Sequence, residues 1–186
     1  MKYASLEELE QQISSCTRCP LHKTATQKVI RKGSNNPAIL FIGEAPGKNE
    51  DATGVPFCGR AGKMLDNIIE YMGLDDDKWA VINTIKCRPP NNRTPNKKEL
   101  KECRPFLEMQ IELLDPKLIV LLGNTAEAAF VGRGKLEWGK CREISGKKVL
   151  KLYHPAALMY TRSRIADQHQ FIAENRKLWE KYSKRR

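Results

Sequence analysis

Three short apolar runs constrain what this chain can become. Residues 38–43, 79–85 and 117–123 are hydrophobic stretches of strand length, and such near-continuous runs suit strands buried on both faces. Helical periodicity lies between them. Met64, Leu65, Ile68, Ile69 and Met72 share one side of residues 61–73, with Gly73 at the end, and a second helix is predicted over 96–114. Further helices are predicted over 5–15, where Ser5 and Glu8 form a capping box, over 125–130 and over 163–182. A hairpin over 142–153 turns at Ser145-Gly146-Lys147. Strand and helix in alternation predict a three-layer α/β/α sandwich around a central, mainly parallel, four-stranded sheet. The 186 residues suit one domain spanning 1–186.

In such folds ligands sit at the carboxyl ends of the strands. The first strand runs into GEAPGKNED, residues 43–51, which has the glycines and lysine of a phosphate cradle. A P-loop needs four residues between its glycines and a Ser or Thr after its lysine. Here Gly43 and Gly47 are three residues apart in the intervening count, Asn49 follows Lys48, and Glu44, Glu50 and Asp51 would repel a triphosphate. Nucleoside triphosphate binding is therefore excluded. The turn still offers backbone N–H groups to a neutral or singly anionic oxygen.

Charge points to a polyanion. The chain has 33 Lys and Arg against 22 Asp and Glu, a formal charge of +11, which favours nucleic acid through counterion release, although a merely basic solvated surface has the same count. The basic Lys184-Arg185-Arg186 end adds little. No stretch is apolar enough to span a bilayer and no signal peptide is visible, so a cytoplasmic protein is expected.

In that compartment the six cysteines are not expected to form structural disulfides. Cys16 and Cys19 form C-x2-C, and Cys87 and Cys103 complete a set of four suited to tetrahedral zinc or an iron–sulfur cluster. Spacing does not separate the two metals, and Cys87 and Cys103 also suit plain burial. Cys58 and Cys141 read as structural. Three more residues draw attention. Phe57 is the single aromatic of Gly54-Val55-Pro56-Phe57-Cys58-Gly59-Arg60-Ala61-Gly62, fit either to stack on a ligand or to anchor the loop. Asn83 is disfavoured late in a buried strand and so is expected to make specific hydrogen bonds. His154 follows the hairpin in Tyr153-His154-Pro155-Ala156-Ala157-Leu158, where it is either structural or catalytic.

Taken in order, GEAPGKNED, GVPFCGRAG, NTIKCRPPNNR, YHPAAL and the four cysteines resemble the family 4 uracil-DNA glycosylases, the iron–sulfur branch of their superfamily, over residues 16 to 158. The resemblance implies a [4Fe-4S] cluster on Cys16, Cys19, Cys87 and Cys103. It implies a uracil pocket lined by Gly43, Glu44 and Ala45, with Phe57 stacking on the base, Asn83 reading its edge and His154 near O2. Leu158 would stand at the tip of a loop entering the duplex, with Asn92 supporting the pocket. Arg60, Lys63, Arg88, Arg93 and Arg162 are candidates for gripping phosphates. The partner would be uracil-containing DNA, single- or double-stranded, bound by a monomer. One departure stands out. Where the best-known uracil glycosylases carry a water-positioning Asp, this chain has Ala45. Glu44 and Glu50 are then the candidates for handling water, and Glu50 also for excluding the C5 methyl of thymine. No lysine nucleophile occurs in these motifs, which implies a monofunctional enzyme. A sibling family of broader base specificity and a non-catalytic four-cysteine nucleic-acid module are the alternatives.

Overall fold

A computed structural model describes residues 4–132 and 135–183. The basic end at 184–186 lies outside the described residues. In chain order the elements are α1 (Leu6–Ser14), β1 (Lys32–Gly33), β2 (Ile39–Gly43), α2 (Lys48–Thr53), α3 (Arg60–Tyr71), β3 (Trp79–Asn83), α4 (Lys97–Leu114), β4 (Leu118–Leu122), α5 (Gly123–Val131), β5 (Arg142–Ile144), β6 (Lys147–Leu152), α6 (Pro155–Leu158), α7 (Arg162–Glu174) and α8 (Arg176–Ser183). The sheet has six strands, in the order β1-β3-β2-β4-β6-β5. Its middle is the expected four-stranded parallel array, and the two additions are short antiparallel edge strands, β1 and β5. With only two residues, β1 has no alternation for a sequence reading to detect.

Period-two alternation sends successive side chains to opposite faces. Ile39, Phe41, Val81 and Val120 pack on one side with α3, Leu158, Ile172 and Trp179. Leu40, Ile42, Ile82, Ile119 and Leu121 pack on the other with Leu107 and Leu114 of α4 and Ala126 of α5. Outside α4, Leu9 and Ile13 of α1 meet Phe106. The predicted final helix is broken between α7 and α8 at Asn175, whose side-chain amide donates to the carbonyls of Gly139 and Phe171, both at 2.8 Å.

A buried ion pair joins β6 to α5. Lys151 of β6 donates to Glu127 of α5 at 2.7 Å, with both side chains under a tenth exposed. The Lys151 ammonium also sits 3.9 Å from the Trp138 ring centroid, and Glu127 accepts the Leu136 N–H. Burial pushes the Glu127 carboxyl up, but Lys151 and the Leu136 N–H outweigh it and hold it below its ordinary value. Glu127→Ala strands a buried ammonium and is expected to cost about 3–5 kcal/mol in a chemical denaturation measurement. A loss under about 1 kcal/mol would mean that Lys151 finds water instead.

Candidate active site

Strand β2 lies between β3 on one side and β4 on the other, so the chain reverses its winding direction there. That switch point opens a crevice at the carboxyl ends. A cleft of about 350 Å³ fills it, lined by Glu44, Ala45, Gly47, Glu50, Phe57, Asn83, Asn92, Arg93 and His154 among others. Gly43, at the end of β2, pairs in register with Asn83, at the end of β3. Its lack of a side chain is required, since a Cβ there would lie 2.5 Å from both Asn83 Oδ1 and Phe57 Cζ. Asn83 is 2% exposed, and its Oδ1 has no hydrogen-bond partner among the described residues. Buried polar atoms are usually satisfied, so an orphaned acceptor at a cleft is aimed at something that donates.

Phe57 reaches this place through strain. It is 6% exposed and has φ of 54°, a left-handed value that is a true outlier for a bulky residue. Gly62 permits the bend, because a Cβ there would fall 1.7 Å from the Phe57 carbonyl oxygen. The ring lies 5.8 Å from that of His154, centroid to centroid.

The three carboxylates of GEAPGKNED have three different environments. Glu44 faces the cleft, with its Oε2 accepting from Thr125 Oγ1 and its carbonyl accepting from Thr84 Oγ1 at 2.5 Å. Glu50 is a clamp. Its Oε1 accepts the Gly59 N–H at 2.9 Å and its Oε2 the Gly47 N–H at 3.1 Å, so it ties the turn after β2 to the loop that carries Phe57. Asp51, 4% exposed, accepts the backbone N–H and the hydroxyl of Thr26 at 3.0 and 2.8 Å, anchoring α2 to the N-terminal segment.

His154 caps the one-turn helix α6. Its Nδ1 accepts the Ala156 N–H at 3.2 Å. That bond requires a bare Nδ1, so the neutral ring carries its proton on Nε2. Burial holds the imidazole below its ordinary value, with Glu44 opposing in part. The ring is therefore neutral at physiological pH and has one N–H to offer. Leu158, on the same short helix, is 2% exposed and belongs to the core with Phe57 and Leu65. It does not stand at an exposed tip, because α6 turns that face inward. The exposed side chain of this loop is Tyr160, at 79%.

The phosphate candidates divide. Arg93 forks onto Glu99 at 2.6 and 2.8 Å, and Glu99 also accepts the Asn96 N–H that starts α4. Arg88 donates to Asn92 Oδ1 at 2.7 Å, which fixes a residue itself held at φ of 54°. Among the described residues no such partner engages Arg60, Lys63 or Arg162.

Cys16, Cys19, Cys87 and Cys103 line one small cavity of about 20 Å³, together with Lys86. Burial pushes the Cys87 thiol up to about 12 and raises those of Cys19 and Cys103. Among the described residues no three His, Cys, Asp or Glu side chains converge on a single-ion site. Cys58 and Cys141 are exposed rather than core, and Cys58 Sγ touches Thr53 Oγ1 at 3.2 Å.

Sequence reasoning missed Thr84, Thr125 and Lys86. Thr84 follows Asn83 directly, and Thr125 stands three residues past a buried strand, in the region from which side chains enter such a crevice. Nothing local marks Lys86 as buried.

Residues 30–181 match the uracil DNA glycosylase superfamily. The type-4 uracil-DNA glycosylase of Thermotoga maritima is 41% identical over 163 residues, 85% of each chain. That of Archaeoglobus fulgidus is 37% identical over 177 residues, covering 89% of this chain and 88% of the relative. A type-5 uracil-DNA glycosylase of Pyrobaculum aerophilum is more distant, 24% identical over 86% of each. With a family match over most of its length and relatives 41% and 37% identical along most of both chains, the chain belongs to the type-4 branch of the uracil DNA glycosylase superfamily.

Proposed function

We propose that this protein is a monofunctional uracil-DNA glycosylase that flips uracil out of DNA, hydrolyses its N-glycosidic bond and leaves an abasic site. The observation that carries the reading is the orphaned Asn83 Oδ1, buried beside Phe57 at the mouth of the switch-point cleft. Uracil offers N3–H and O4 side by side. One amide meets both, its oxygen accepting N3–H and its nitrogen donating to O4, whereas cytosine presents the reverse pattern. Phe57 stacks on the ring without choosing among bases.

Bond cleavage builds positive charge on the sugar and negative charge on the departing base. The Nε2–H of neutral His154 donates to O2 as that charge grows, and a preorganised donor of this kind is the main electrostatic aid available. Glu44 orients the attacking water, since Thr125 engages one of its oxygens and leaves the other for the cleft. Glu50 spends both oxygens on backbone N–H groups, so it acts by positioning Gly47 and Gly59, and its stem walls the cleft against the thymine methyl. The backbone at Gly43, Glu44 and Ala45 cradles the base, and the Arg88–Asn92 pair supports the facing loop. Among the described residues no lysine lines the cleft, which favours hydrolysis over a covalent imine.

Cys16, Cys19, Cys87 and Cys103 would hold a [4Fe-4S] cluster. The donor set fits: the four cysteines line one cavity, and four thiolates are the usual ligands of such a cluster. When bound, the cluster supplies a rigid cross-link between the N-terminal segment, the loop after β3 and α4. No helix among the described residues is long and apolar enough to cross a membrane. A cytoplasmic monomer acting on single- or double-stranded DNA completes the proposal.

The test is incubation with oligonucleotides carrying uracil in a single strand, opposite G and opposite A, followed by alkali. Absence of alkali-labile sites on all three would sink the reading. Hypoxanthine and xanthine substrates complete the set, and rates rivalling uracil would point to broader specificity. The same assay tests what enters the duplex. With Leu158 in the core, the exposed ring of Tyr160 is the side chain available to fill the gap left by the flipped base. Arg162 and Arg164 follow it in the first turn of α7, where cations oppose the helix dipole but suit a phosphate. Tyr160→Ala is expected to slow excision from U:A duplex roughly 5- to 150-fold, the worth of one stacking contact, with single-strand excision unchanged. Equal losses on both substrates would remove Tyr160 from that role.

A further inference from the structure

Lys86 is the charge in this molecule that the site description leaves unused. Its side chain is among the largest that are fully buried, at 2% residue exposure. Lys151, the other deeply buried lysine, has Glu127 beside it. Among the described residues Lys86 has no such carboxylate. It lines the cysteine cavity together with Cys16, Cys19, Cys87 and Cys103. Its ammonium donates to one acceptor, the main-chain carbonyl of Asn83, at 2.5 Å. Its own carbonyl accepts the Val29 N–H at 2.8 Å, which fixes the backbone at this point.

A buried cation without an anion is costly, and a counter-charge on the same cavity offsets that cost. Four cysteines that ligate a cluster do so as thiolates, and four thiolates on a dicationic [4Fe-4S] core leave a net dianion. The cavity wall that Lys86 shares is where that negative charge would stand. The other end of the same ammonium holds the backbone of the residue that reads uracil. Asn83 discriminates only if its amide keeps one orientation, and its backbone position sets that orientation against Gly43 and Phe57.

Resting on the uracil and cluster assignments above, we propose that Lys86 is a positioning residue that couples the cluster to base reading: its ammonium is the counter-ion of the four-thiolate centre and, through the Asn83 carbonyl, holds the uracil-reading amide in place. Two consequences separate. Removing the positive charge makes the cluster harder to reduce, because the added electron loses a nearby cation. Removing the donor leaves the Asn83 carbonyl unpaired and loosens uracil binding.

The experiment compares wild type, Lys86→Met and Lys86→Gln. Each is purified anaerobically and assayed for iron, sulfide and visible absorbance. The cluster potential is then measured by voltammetry, and inhibition of excision by free uracil is titrated. Lys86→Met should keep its cluster, shift the potential to more negative values and raise the inhibition constant for uracil roughly tenfold. Lys86→Gln keeps a donor but no charge, so it should show the same shift in potential with most of the uracil affinity restored. If Gln shifts uracil affinity as much as Met does, the hydrogen-bond half is overturned. If both leave the potential at the wild-type value, the counter-ion half is overturned. Loss of iron from both variants with circular dichroism unchanged would overturn the positioning role and make Lys86 a structural member of the cavity. A wild type that lacks iron, or that fails to excise uracil, speaks against the cluster or the activity rather than against Lys86.

Discussion

Asn83→Asp is expected to lower single-turnover excision of uracil by roughly 5- to 150-fold, since a bidentate base contact is worth about 1–3 kcal/mol. The change is nearly isosteric, so the fold and the Gly43 contact survive. What changes is the donor. A carboxylate still accepts uracil N3–H but meets O4 with a lone pair. The site is built around that one amide: Gly43 makes room for its oxygen, and a Cβ at Gly43 would collide with Oδ1 at 2.5 Å. Phe57 is untouched, so stacking remains. The loss should therefore fall on discrimination, and uracil should lose its advantage over cytosine. Asn83→Ala, which removes donor and acceptor together, is the control. Wild-type kinetics for both variants would take Asn83 out of base reading and leave its buried oxygen without explanation.

The parts of this site that could be read in the sequence are those made by neighbours along the chain. The parallel strands, the C-x2-C pair and the placing of GEAPGKNED and Asn83 at strand ends all follow from local pattern, and the register pairing Gly43 with Asn83 agrees with it. The roles of the three carboxylates do not. Glu44, Glu50 and Asp51 are equivalent by composition, and their partners are Thr125, Gly59 and Thr26, residues that only the fold brings near. The same limit governs Leu158 and Tyr160. Both are apolar residues of one loop, and which one faces solvent depends on how the single turn of α6 seats against α3. The break at Asn175 is similar, since it depends on the Gly139 carbonyl, 36 residues away. Edge strand β1 is too short to show a period, and nothing in the sequence around Lys86 marks it as buried, because desolvation has no local signature.

His154 should give the other large effect. His154→Ala is expected to reduce the rate of the chemical step by about 10²- to 10³-fold, the usual worth of a single preorganised donor to a developing oxyanion. Substrate binding should change far less, because the bond matters most once charge has moved onto the base. The pH dependence identifies the form of the ring that acts. Burial, opposed in part by Glu44, holds the imidazole below its ordinary value of 6.5. A depressed value means that the neutral, Nε2-protonated ring dominates from below pH 6.5 upward. Excision should thus be level through the neutral range and fall only on the acid side, as Nδ1 takes a proton and gives up the Ala156 N–H. His154→Gln keeps a neutral donor, so it should recover part of the rate lost in the alanine variant and lose that acid limb. An activity that instead declined as pH rose through 6.5 would mean that the imidazolium is the active form. The hydrogen bond from Ala156 N–H argues against this, because a ring protonated on both nitrogens has no lone pair to accept it.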